Sequence, residues 1–248
     1  AIVLALVAGL LLSLHFLRAQ RLQQQRTSET LAFFANEVIE LAPRLGLGGD
    51  QRSRLEEVEL RLRGELELDS DNRALQATLA RTLYELACID QASGEFASQR
   101  SHAASARALC EGLLALDPRD LDAWTQLSRT CAKLGEAARD LGSERERDEW
   151  FARALEIDRR LVAQSARDPE LVEDLGWSLT RVADAALRRG DLELARRLAA
   201  ERLEDARTLL ELNPRNWKFA FNLSHAHFFQ AHVDGADADV EARLMHVR

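Results

Sequence analysis

The side chains best equipped for chemistry gather towards the C-terminal end, where His225, His227 and His232 precede Asp234, Asp237 and Asp239. Imidazole and carboxylate are the ligands of zinc-type sites. On a helix, however, His225 and His232 share a face while His227 points nearly opposite, so the three cannot converge on one ion. No metal site is expected. Cys88, Cys110 and Cys131 are odd in number and lack CxxC spacing, which argues against a disulfide framework and against zinc; they read as small buried apolar residues. The run Gly46-Leu47-Gly48-Gly49-Asp50 mimics a phosphate loop, but no Lys-Ser/Thr comes after it and no strand precedes it. It reads as a linker that breaks one helix from the next. Arg119-Asp120-Leu121 and Arg139-Asp140-Leu141 lack the His of a phosphotransfer catalytic loop, and no HExxH, GxSxG or Walker A motif occurs. The chain is expected to carry no catalytic residue and no cofactor.

Recognition chemistry is better represented. Arg81 and Glu85, then Arg129, Lys133 and Glu136, then Trp177, Arg181 and Asp184 run beside a repeated apolar stripe. Mixed charge with one exposed-looking Trp suits hydrogen bonding and stacking against an extended or helical peptide. Solvated helix faces with i, i+4 pairs such as Arg81–Glu85 are the alternative. Net charge is −8 with no basic block, so nucleic acid is not an expected partner.

These residues need positioning, and the chain's punctuation says how. Gly94, Gly142 and Gly190 stand 48 residues apart, with Gly235 another 45 residues on. Asp117-Pro118, Asp168-Pro169 and Asn213-Pro214 interleave with them. Glycine closes a helix C-terminus at no steric cost, and proline cannot continue a helix. Between the breaks lie lengths suited to long helices, so the pattern predicts helix, glycine turn, helix, proline stop, and repetition. Leu79/Leu83/Leu86, Leu127/Cys131/Leu134 and Leu175/Leu179/Val182 each step i, i+4, i+7, giving one apolar face per unit. Beside each stripe sits Ala87, Gly135 or Ala183, small enough to admit a neighbouring helix. Ser143 with Glu146 predicts a capping box after Gly142, and Asp191 a cap after Gly190. Residues 240–248 read as the start of another second helix. One such pair cannot bury its own apolar flank, so stacking into a solenoid is expected.

Asp117-Pro118, then Ala123-Trp124 and Leu127-Ser128, resembles the tetratricopeptide repeat pattern of Pro, Trp and Leu-Gly. The run from Asp174 to Asp184, continued by Gly190-Asp191-Leu192, is similar to a long-repeat bacterial variety of that family. The resemblance covers 69–248 and implies an all-α, right-handed superhelical solenoid of antiparallel helix pairs. The units are expected at about 69–117, 118–168, 169–213 and an incomplete 214–248. It also implies a protein or peptide ligand in the groove lined by first helices, with Arg81, Glu85, Arg129, Lys133, Trp177 and Arg181 as candidates. The Lys/Asn carboxylate clamp of the family is not reproduced.

Ala1–Leu17 contains no formal charge and predicts one membrane-spanning helix, with 1–26 as span and juxtamembrane segment and 27–68 as helical linker and leading helices. Arg18, Arg21 and Arg26 favour a cytoplasmic side for the remainder of the chain; the rule compares both flanks of a span, so orientation stays open. This order of parts resembles the region after the catalytic domain in bacterial membrane-anchored serine/threonine protein kinases with tetratricopeptide tails. That implies a single-pass protein of the bacterial inner membrane with a kinase domain upstream of Ala1 in the cytoplasm and these non-catalytic repeats across the membrane, a topology with which the three arginines disagree. A stand-alone tethered adaptor and the tail of a membrane-bound transcription regulator are the other readings.

Overall fold

The computed structural model describes residues 48–165 and 168–246. Among these there are eight helices and no strand: α1 (Gly48–Leu68), α2 (Arg73–Ala92), α3 (Phe96–Leu116), α4 (Leu121–Asp140), α5 (Glu144–Gln164), α6 (Pro169–Arg188), α7 (Leu192–Leu212) and α8 (Trp217–His246). The expected span Ala1–Leu17 lies outside the described residues. Within them no helix is long and apolar enough to cross a membrane.

One ruler governs the array. The first helices α2, α4 and α6 are 20 residues each and the second helices α3, α5 and α7 are 21 each. Every helix begins 48 residues after its counterpart in the preceding unit, and α1 begins 48 before α3. Helix α1 therefore holds the place of a second helix. The starts of the first helices, α8 among them, are fixed by side-chain caps. Asn72, Asp120 and Asp168 accept from the backbone N–H of Leu75, Ala123 and Glu170, and Asn216 accepts from Lys218 N–H. The ends of α2, α4 and α6 are fixed by glycine: Gly94, Gly142 and Gly190 have φ of 75°, 80° and 79°, a region closed to most L-residues.

Three expectations are corrected. The prolines are spaced irregularly because Pro169 opens its helix directly behind the cap, whereas Pro118 and Pro214 precede their caps by two residues; the caps, not the prolines, keep the period. Gly48 and Gly49 belong to the first turn of α1 and not to a linker, while Gly46 lies outside the described residues. Gly235 is not a turn. Helix α8 passes through it to His246, so residues 240–246 continue that helix and do not start another. The position 48 residues beyond Gly190 is Ala238, which has no preference for a left-handed turn.

Packing obeys the apolar stripes. Leu79, Leu83, Leu86, Leu127, Cys131, Leu134, Leu175 and Leu179 are all at most 5% exposed, and Val182 packs beside them. The small positions do what their size allows. A Cβ on Gly135 would run into the Phe151 ring of α5, while Ala87 shares a cluster with Ala103, and Ala183 with Ala199. Each helix packs on the next. Successive first helices also touch one another, whereas among the described residues successive second helices do not. The array therefore curves with its first helices on the inner face.

Candidate binding groove

Two rows of the 48-residue period run across that inner face: Arg81, Arg129 and Trp177 in one, Glu85, Lys133 and Arg181 in the other. All six are half-buried. Their charges are tied together between units. Arg129 Nε donates to Asp174 Oδ2 at 2.8 Å, and Arg181 Nε donates to Glu136 Oε1 at 2.8 Å. Lys133 Nζ donates to Glu136 Oε2 at 2.8 Å and to Gln91 Oε1 of the preceding unit at 2.7 Å. Burial alone would raise the Glu136 carboxyl, but Arg181 and Lys133 outweigh it and hold it below the usual range. Glu85 is raised by burial, with Arg81, Lys133 and Arg129 working against that. Burial pushes Asp174 up to about 6 despite its Arg129 partner.

Two cavities open on this face. One of about 320 Å³ is walled by Tyr84, Arg129, Lys133, Trp177 and Arg181, with Asp158 and Ser178 also lining it. Another, of about 610 Å³, lies towards the starts of the first helices and is lined by Thr78, Arg81, Asp120, Gln126 and Glu170 among others. Arg129 borders both, so the two adjoin. Glu85 lines neither.

No family model matches the chain, and no curated protein matches it either. Solved structures do. BtubC from P. vanneervenii is 12% identical, with 88% of this chain and 92% of that one covered and a TM-score of 0.45. A de novo designed helical repeat protein is 16% identical over 87% of this chain and 98% of its own, at a TM-score of 0.30. The pilF protein of Pseudomonas aeruginosa is 16% identical over 84% and 99%, at 0.26. All three scores fall below one half and carry no functional weight. By its own geometry the chain is a helical repeat protein.

Trp177 is less open than the sequence suggests. Its ring meets His225 at 5.0 Å between centroids, and the Arg202 guanidinium lies 5.3 Å from its centroid. The other histidines do not join it. His227 is exposed, and His232 approaches Phe229 with centroids 6.5 Å apart. Burial disfavours all three thiolates: it pushes the Cys88 thiol up to about 11, and Cys110 and Cys131 to about 12. Asp120 of the Arg-Asp-Leu run is a helix cap. The capping box at Ser143 is not formed; Glu146 instead accepts from Arg100 at 2.9 Å and Trp150 at 3.4 Å. Asn222, in a formal glycosylation triplet, is 2% exposed and closed to a glycan.

Sequence reasoning missed Asp158 and Arg202. Both are charged residues on second helices, at most 2% exposed, in columns that are apolar in the other units. Aligning the chain on its 48-residue period would have exposed them.

Proposed function

We propose that this chain is a protein-interaction module that receives a segment of a partner protein along the inner face of α2, α4 and α6. It is held at a membrane by residues 1–17 and wound in the right-handed sense of tetratricopeptide arrays. Solenoids present extended concave surfaces of this kind. The observation that carries the reading is the pair of adjoining cavities at the inner-face rows, where charge, aromatic faces and half-exposure coincide. Tethering would raise the local concentration of a membrane-bound partner.

Peptide display on the full 248-residue chain tests this. Selected peptides should lose binding to a Tyr84→Ala/Trp177→Ala variant whose circular dichroism matches wild type. Peptides that bind both proteins equally would place recognition elsewhere.

The order of apolar segment, helix and repeats supports assigning the chain to the non-catalytic region of a transmembrane serine/threonine protein kinase. The residues encoded upstream of Ala1 decide it. A glycine-rich loop with HRD and DFG motifs would support the assignment, and a short leader would end it in favour of a tethered adaptor.

A further inference from the structure

Asp158 occupies a column of second-helix positions whose other members are Leu62, Cys110 and Ala206, each 0% exposed. Three units fill this place with apolar side chains, so the fold has no need of a carboxylate there. Asp158 is itself 2% exposed. Its Oδ2 accepts from Ser178 Oγ at 2.6 Å, and its Oδ1 has no hydrogen-bond partner. The Ser128 hydroxyl also lines the cavity and helps hold the carboxyl down, but its own hydrogen bond goes to the Ala154 carbonyl at 3.2 Å. A buried carboxylate with one donor is under-satisfied and destabilising.

The same residue lines the 320 Å³ cavity, whose volume matches one side chain and its flanking backbone. The walls are close to charge-balanced. Arg129 is paired with Asp174, while Lys133 and Arg181 share Glu136, and every guanidinium keeps further N–H donors. A cationic ligand would meet three cations in the wall. An anionic one would meet the carboxylate. What the cavity lacks is a second donor, one to Asp158 Oδ1; what it offers is N–H and two aromatic faces. A neutral group carrying both NH₂ and C=O answers each need.

We propose that this cavity seats the primary carboxamide of an Asn or Gln side chain from the partner segment. The NH₂ donates to Asp158 Oδ1, the C=O accepts from a wall guanidinium or Lys133, and the methylenes lie against Trp177. The inference rests on the proposed groove function and specifies its ligand.

The test is direct. The full chain, ¹⁵N-labelled at Trp and assigned through Trp177→Phe, is titrated with N-acetyl methylamides of Gln, Glu, Lys and Leu. The capped Gln should shift the Trp177 indole signal saturably, and the other three should shift it at least about tenfold more weakly. Asp158→Ala and Asp158→Leu, which copy Ala206 and Leu62, should fold by circular dichroism and lose the Gln preference. Equal shifts by capped Leu or Lys, no shift by capped Gln, or an unchanged preference in both Asp158 variants would overturn the proposal. Displayed peptides that bind the groove but share no Asn or Gln position would also overturn it, and would leave the groove function intact. Loss of the groove function would show instead as peptides indifferent to Tyr84 and Trp177.

Discussion

Gly176-Trp177-Ser178 is where the repeat departs from its own pattern, and the departures are linked. A Cβ on Gly176 would run into the guanidinium of Arg202, which is 0% exposed, lacks any hydrogen-bond partner at its three nitrogens, and replaces the Val58, Ala106 and Ala154 of the other second helices. Burial lowers its pKa. In the preceding unit the same two columns hold Ser128 and Ala154, whose hydroxyl and carbonyl are bonded. Gly176→Ser alone should therefore lower stability by about 1–3 kcal/mol through overpacking. Combined with Arg202→Ala, which recreates the Ser128–Ala154 pair, it should recover wild-type stability or exceed it. Urea unfolding of the two single variants and the double variant measures the coupling; simple additivity would contradict the account.

Asp158 yields a pH-dependent prediction. Burial raises its carboxyl, with Ser128, Ser178, Arg181 and Arg129 opposing that. The folded state then holds its proton to higher pH than the unfolded chain, whose Asp titrates near ~3.9. Stability is therefore lost as pH rises from about 4 through the folded value. Asp158→Ala removes this penalty. Its stability relative to wild type should climb between pH 4 and pH 7, by about 1.4 kcal/mol for each unit by which the carboxyl is raised. Thermal unfolding across that range checks it, and a flat difference would show that Asp158 is not destabilised by burial. The inner-face charges were readable in sequence because they recur beside an apolar stripe. Asp158 and Arg202 were not, because an isolated charge in a second helix looks like any solvated position until the columns are aligned.

At the scale of elements, not all glycines act alike. Gly94, Gly142 and Gly190 have positive φ with nothing within 4 Å of an added Cβ, so only backbone conformation opposes a side chain. Gly→Ala at each should cost about 1–2 kcal/mol. Gly235 also has open space around it but lies inside α8. There Gly→Ala should stabilise by about 0.5–1 kcal/mol. Denaturant midpoints of the four variants separate turn from helix, and a destabilising Gly235→Ala would restore a break in α8. The glycine ladder could be read because left-handed turns demand glycine. Its last rung misled because the demand does not run the other way: a helix tolerates glycine at modest cost. The proline ladder misled similarly, since proline marks a helix's approach while the Asn or Asp cap fixes its start.

At the scale of the whole molecule, a set of ion pairs among the described residues runs from unit to unit. Arg52 of α1 reaches the buried Asp90 at 2.9 Å, Arg73 reaches Asp120 at 3.2 Å and Arg159 reaches Glu201 at 2.7 Å, while Arg189 pairs with Asp148. Arg129 and Arg181 join this set, so they tie first helices together as well as lining the groove. Their removal should loosen the array along with any ligand contact, so binding is probed at Tyr84 and Trp177, which carry no ion pair between units; because Trp177 also packs on His225 and Arg202, the matching circular dichroism is part of that test. The overall architecture was readable because punctuation and periodicity recur every unit. The ties were not, because charge partners 45 residues apart become neighbours only once the period is known.

That period is the central claim, and removing one unit of it is the most direct test. Deleting residues 121–168 joins the Asp120 cap to Pro169 in place of Asp168 and sets α3 against α6, with one full repeat gone. The shortened chain should keep its helicity per residue by circular dichroism and unfold in one cooperative transition. A deletion of 121–156, which breaks the period, should do neither. If both deletions lose helicity and cooperativity alike, the chain is not an array of interchangeable 48-residue units.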